Sequence, residues 1–220
     1  MPSTVATAPV GQVAVVTSAM MGVTCTAGAL GTWAAWHRYG VAVAYVAGEP
    51  GTGVADYVGA ANTAANVNVL WLMAYAVTCV TFLTWSWRAR LNAEQLTPVP
   101  HRLARGWVVA GWVVPAFPLI AMEDVWRTSR PDVPSGVEHA RSLPRAPLVR
   151  YWWCAAMACV LAGVWLVATV EGEATLDALL NTASAMTVLA VLQTVAAGLA
   201  VPMIRQITRW QSPNTPPELH

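Results

Sequence analysis

The chain has 220 residues, 56% of them hydrophobic and only 10% charged. Soluble domains carry about 25% charged residues, so a water-dispersed globule is excluded. A net charge of +1 gives no long-range field for capturing nucleic acid, and the length suits one helical bundle rather than several domains.

A helix needs about 20 apolar residues to cross the hydrocarbon core, and four segments meet that requirement. The first is Val10–Trp36. No positive residue precedes it, so it reads as a span and not as a cleavable signal. The second is Val67–Trp87. Between them, Tyr39–Asn66 reads as a loop with a turn at Gly48-Glu49-Pro50-Gly51. The third span is Tyr151–Val170, and its small residues Ala155, Cys159 and Gly163 recur every fourth position. Such spacing lets helices approach closely, within the bundle or across a homo-oligomer seam. The fourth lies within Ala178–Ile204, over about 181–204.

Segment 106–126 is different. Its uncharged core Gly106–Met122 contains Pro115 and Pro118, and proline removes a backbone donor and clashes with the preceding turn. A broken segment is expected. The loop Arg130–Pro147 is proline-rich and reads as irregular, and 212–220 reads as a disordered tail after one helical domain over 1–211.

The chain has no lysine, and its arginines are sorted. Arg88, Arg90, Arg102 and Arg105 follow the second span. Arg127, Arg130, Arg141, Arg145 and Arg150 precede the third. Arg205 and Arg209 follow the fourth. Arginine-rich loops stay cytoplasmic, so both termini are expected inside and Glu49, Asp56, Glu171, Glu173 and Asp177 outside. Both flanks of 106–126 are then cytoplasmic. The segment should dip in and return, or lie in the inner interface; the alternative is a fifth span with one violated loop. Trp85, Trp87, Tyr151, Trp152, Trp153 and Trp210 fall near the inner boundary, and Trp33, Trp36 and Tyr39 near the outer, as aromatic belts do.

Candidate chemistry is sparse. Cys25, Cys79, Cys154 and Cys159 sit in apolar runs without metal-ligand spacing. His37, His101, His139 and His220 lie at span ends or in loops and read as surface residues. No catalytic motif is present in the sequence, and neither a metal nor a cofactor is expected. Arg88, Arg90, Arg141 and Arg145 are the candidates for contact with membrane lipid or a protein partner on the cytoplasmic face. Trp112, Pro115, Pro118, Glu123 and Arg127 are the candidates for packing the broken segment, with Glu123–Arg127 as an ion pair docking it against Arg88 or Arg90.

Three stretches resemble a known family. They are Phe82–Glu94 (Phe-Leu-Thr-Trp-Ser-Trp-Arg-Ala-Arg-Leu-Asn-Ala-Glu), Gly106–Pro115 ending at Val125-Trp126-Arg127-Thr128-Ser129, and Thr208-Arg209-Trp210-Gln211. In order and spacing, over about 65–211, they resemble an actinobacterial integral-membrane family of unknown function, domain of unknown function 4328. Pro118 stands where that family commonly has Asn. The resemblance implies architecture and an actinobacterial plasma membrane, not a mechanism. The expected role is a non-enzymatic accessory or scaffold of the cell envelope. The alternatives are a lipid- or small-molecule-handling protein or transporter subunit, and a membrane enzyme of unfamiliar site.

Overall fold

A computed structural model describes residues 9–134, 137, 142–170 and 175–212. Among these, every regular element is helical. In chain order they are α1 (Gly11–Val46), α2 (Val54–Leu96), α3 (Trp107–Ala110), a 3-10 turn (Gly111–Val113), α4 (Ala116–Thr128), α5 (Pro147–Val170) and α6 (Leu176–Trp210). Four of them, α1, α2, α5 and α6, are long and apolar enough to cross a membrane. Their apolar surface agrees: Leu70, Met73, Val77 and Val80 of α2 and Leu161, Val164 and Val167 of α5 are exposed, and soluble proteins rarely leave such stripes to water. The chain is a membrane protein.

Two of the helices outrun the spans read from hydropathy. At about 1.5 Å per residue, the 36 residues of α1 and the 43 of α2 exceed a hydrocarbon core of about 30 Å. Most of the expected loop Tyr39–Asn66 is therefore helix. Only 47–53 connects α1 to α2, and it turns on Gly48 and Gly51, both at positive φ (70° and 89°), where a Cβ would be strained. Helix α2 starts there because Asp56 caps it: Gly53 N–H donates to Asp56 Oδ2 at 2.8 Å, satisfying an orphan donor of the first turn.

The chain forms two compact units, and α1, α2, α5 and α6 each contribute to both. One comprises 20–78 and 155–197. Its helices are joined by part-buried polar side chains: Thr24 and Thr78 hydroxyls at 2.7 Å, Trp71 Nε1 donating to Gln193 Oε1 at 3.2 Å, and Thr32 Oγ1 donating to Met186 O at 3.2 Å. The other comprises 1–19, 79–154 and 198–220. Its apolar centre includes Trp85, Val125, Val149, Met203 and Ile207, all essentially without exposure. Trp85 and Trp152 belong to this core and not to a belt; Phe82 sits against both rings.

The break expected in 106–126 is present, and its position has a simple cause. Val114 is extended (φ −113°, ψ 110°), the conformation favoured before proline. Pro115 then opens α4, and Pro118 sits in its first turn, where the missing N–H has no intrahelical acceptor. Pro118 therefore does not break α4. Thirteen residues make α4, about 20 Å, too short to cross alone.

Candidate functional site

Within the unit formed by 1–19, 79–154 and 198–220, residues 121–129 are buried without interruption. A stretch buried on every side is normally apolar. This one carries Glu123, Asp124, Arg127, Thr128 and Ser129, so each polar group has to be met.

Asp124 is fully buried and fastens the 97–106 connection. Arg102 donates its backbone N–H to Oδ2 at 2.8 Å and its Nε to Oδ1 at 2.7 Å. The same guanidinium sends Nη2 to Ile120 O and to Glu123 Oε2, both at 3.2 Å. Glu123 collects two more arginines: Arg127 Nη2 at 3.3 Å and Arg150 Nε at 2.6 Å. A third carboxylate lies alongside. Glu94 accepts from Arg90 Nε at 2.8 Å and from Arg105 Nε at 2.5 Å. Arg90 closes the set by donating Nη2 to Leu103 O at 2.8 Å. Five guanidinium groups thus meet three carboxylates.

Burial pushes the Glu123 carboxyl up, but the hydrogen bond from Arg150, the charge of Arg127 and the hydrogen bond from Arg102 outweigh it. The group is held below its ordinary range. His101 goes the other way for a base. Burial, and then the charge of Arg90, lower it from 6.5 to about 4. The ring is therefore neutral at physiological pH. Its Nε2 lies 3.0 Å from Thr128 Oγ1. That hydroxyl donates to Asp124 O at 2.7 Å, so Nε2 carries the ring proton and Nδ1 is a bare acceptor. His101 is a partly buried member of the cluster, not the surface residue its loop position suggested.

Gln211 is the second centre. Its Nε2 donates to Ala89 O at 2.8 Å and to Ser129 Oγ at 2.7 Å, and its Oε1 faces Asn92 Nδ2 at 3.4 Å. Trp85 Nε1 donates to Thr208 Oγ1 at 3.1 Å, and Trp126 Nε1 to Gln206 Oε1 at 3.3 Å. The three stretches singled out in the sequence, 82–94, 106–129 and 208–211, converge here.

The individually predicted residues separate. Arg88 donates to Pro9 O at 3.0 Å. Arg90 is 3% exposed and belongs to the interior of the cluster. Arg145 is exposed, and Arg141 lies outside the described residues. Glu123 and Arg127 do pair, but the partners that dock α4 are Arg102 and Arg150 instead of Arg88 or Arg90. Arg102 and Arg150 entered the sequence reading only as topology markers; nothing local distinguishes them from other loop arginines. Trp112 packs edge-on to Phe82 and Trp152, and Pro115 O accepts from Trp153 Nε1 at 2.8 Å.

A cleft of about 440 Å³ opens beside Gln211, lined by Leu96–Val99, Ser129–Pro131, Val133, Pro134, Val137 and Trp210. Arg130 lies over the Trp126 ring and pairs with Asp132. Among the described residues no cluster of His, Cys, Asp and Glu could hold a metal ion.

No curated protein and no solved structure matches the chain. The family model for a domain of unknown function, DUF4328, matches residues 53–209. That region takes in the ion-paired cluster and ends two residues short of Gln211, so the packing seen here is built on its residues, and the chain belongs to the DUF4328 family.

Proposed function

We propose that the protein is a non-enzymatic accessory of the bacterial plasma membrane: one helical domain over 1–211, both termini cytoplasmic, docking a protein partner on its arginine-rich face. The observation that carries this reading is the cleft beside Gln211. Its walls offer Trp210, Pro98, Pro131, Pro134 and aliphatic side chains, a surface suited to an extended, proline-containing segment. One lining residue, Ser129, is tied to Val125 O and Gln211 by buried hydrogen bonds. The carboxylates Glu94, Glu123 and Asp124 are each held by two or more donors, which supports a structural role for them over acid–base work.

The broken segment fits the same picture as an interfacial hook. Trp107, Val109, Trp112, Val113 and Val114 are exposed, while α4 behind them is anchored through Glu123 and Asp124. Aromatic and aliphatic side chains of this kind settle at headgroup level. A lipid- or small-molecule-handling role is the second reading, favoured by this exposed aromatic surface.

The test is purification of the full chain in mild detergent with crosslinking to its neighbours. One defined protein should co-purify with the wild type. Trp210→Ala, or joint neutralisation of Arg141 and Arg145, should release it while leaving the fold unchanged. Recovery of lipid alone, or of the same protein from every variant, would sink the reading.

A further inference from the structure

We propose that the cleft beside Gln211 is held in the free protein by the chain's own residues 213–220, which a partner has to displace; this rests on the cleft being a seat for an extended, proline-containing segment, as read above. Residues 213–220 lie outside the described ones. The cleft lies where the described chain stops. Trp210, the last residue of α6, lines it together with the aliphatic side chains of Leu96, Val99, Val133 and Val137, and Leu96 is 48% exposed. The Trp210 ring packs at 68° against Trp126, with 5.3 Å between centroids, and Arg130, also in the lining, lies over the Trp126 ring. Prolyl segments dock on aromatic surface of this kind, because their extended conformation is already formed before binding.

The residues that follow α6 have the composition such a surface takes. Ser212-Pro213-Asn214-Thr215 is a turn signal: proline presets φ at the first central position, and asparagine tolerates the left-handed region at the second. Pro213 also has no N–H with which to continue α6. A reversal there sends Pro216-Pro217 back toward the Trp210 wall, with Leu219 following as an aliphatic side chain. Length does not limit the reach, since eight extended residues cover about 25 Å.

Tethering favours the chain's own segment over any other. A segment joined to its seat by a few residues is present there at an effective concentration on the order of millimolar. With an intrinsic affinity of only about 0.1 mM it fills the cleft roughly nine-tenths of the time, and the apparent affinity of a competing partner falls about tenfold.

Fluorescence polarisation of a labelled synthetic peptide, residues 212–220 of this chain, tests this on the protein in mild detergent. The chain shortened after Ser212 keeps every described residue and should bind the peptide. The full chain should bind it about tenfold more weakly. Joint Pro216→Ser and Pro217→Ser in the full chain should restore binding to the level of the shortened one, and serves if shortening impairs folding. Adding Trp210→Ala to that variant should abolish binding. Equal binding by the full chain and both altered forms would overturn the proposal, and so would no binding by any form. Native mass spectrometry of the full chain shows whose segment is seated. Monomers should exclude the peptide; exclusion confined to dimers would give the cleft to a second copy's segment and overturn the proposal too. No partner enters these measurements, so their failure leaves the partner reading standing, and a partner that never co-purifies leaves the self-occupied cleft standing.

Discussion

Asp124 and His101 show what burial demands of single side chains in this protein. Asp124 has no exposure and receives two N–H groups from one arginine. Asp124→Asn keeps the shape but removes the charge that Arg102 answers. Breaking a buried pair from one side costs about 3–5 kcal/mol. For a chain of this size that lowers the thermal midpoint by roughly 10 °C, readable by a scan in detergent; a shift within a degree would remove Asp124 from the folding core. His101 makes a pH prediction. Its proton affinity is depressed in the fold, from 6.5 to about 4, so the unfolded chain binds the extra proton. The associated stability is complete above pH 6.5 and drains away as pH falls toward 4, by roughly 2–3 kcal/mol. Glu123, also depressed, loses its contribution only below the ordinary carboxylate range, so His101→Gln should flatten the decline between pH 6.5 and 5 and leave the steeper acid limb. An unchanged slope in that variant would show the imidazole to be indifferent to folding.

Helix ends and the broken segment were unequally legible in the sequence. Four apolar runs announced four crossing-length helices, because twenty residues without charge have few other uses. The extensions of α1 to Val46 and α2 back to Val54 were hidden. Their Ala, Val, Asn and Gly composition has no strong periodicity, and the signal that starts α2 is one Gly53–Asp56 cap. The break near Pro115 was legible from proline chemistry; that Pro118 is harmless needed the helix start to be known. Nothing local could show that Arg102 and Arg150 meet Glu123, or that Gln211 reaches Ala89, since these partners lie 21, 27 and 122 residues apart. The resemblance pointed to the right stretches without saying why they matter; the geometry supplies the reason, a shared buried network. The hook also makes a prediction. A Cβ on Gly111 would lie 2.9 Å from Phe117 Cβ, and an atom next to the backbone cannot swing aside. Gly111→Ala should cost about 1–3 kcal/mol and raise protease sensitivity around 107–117, whereas Pro118→Ala should stay within about 1 kcal/mol of wild type. Equal behaviour of the two variants would mean that the 3-10 turn does not pack as described.

For the molecule as a whole, the distribution of arginine decides orientation, and orientation decides which surfaces a partner or a lipid can reach. Insertion retains guanidinium groups on the cytoplasmic side, and eleven of the twelve arginines lie at, or between, the same ends of the crossing helices. The exception, Arg38, is half-buried within α1 and donates to Tyr57 Oη at 3.3 Å, so it is no marker of a loop. The described residues supply good reporters. Gln95 and Ser142 are exposed at the arginine-rich ends, and Glu49 and Thr175 at the others; Thr97, by contrast, is buried and hydrogen-bonded to Thr128 O, and would report packing. Single cysteines at the four exposed positions, in a background lacking Cys25, Cys79, Cys154 and Cys159, should divide cleanly. A membrane-impermeant thiol reagent applied to intact cells should modify the probes at 49 and 175, and reach those at 95 and 142 only after permeabilisation. Labelling of both 95 and 142 from outside, with 49 and 175 protected, would invert the protein and place the cleft beyond any cytoplasmic partner. Labelling of only one of the first two would put the 107–128 segment across the membrane, and its proposed interfacial placement would have to be abandoned.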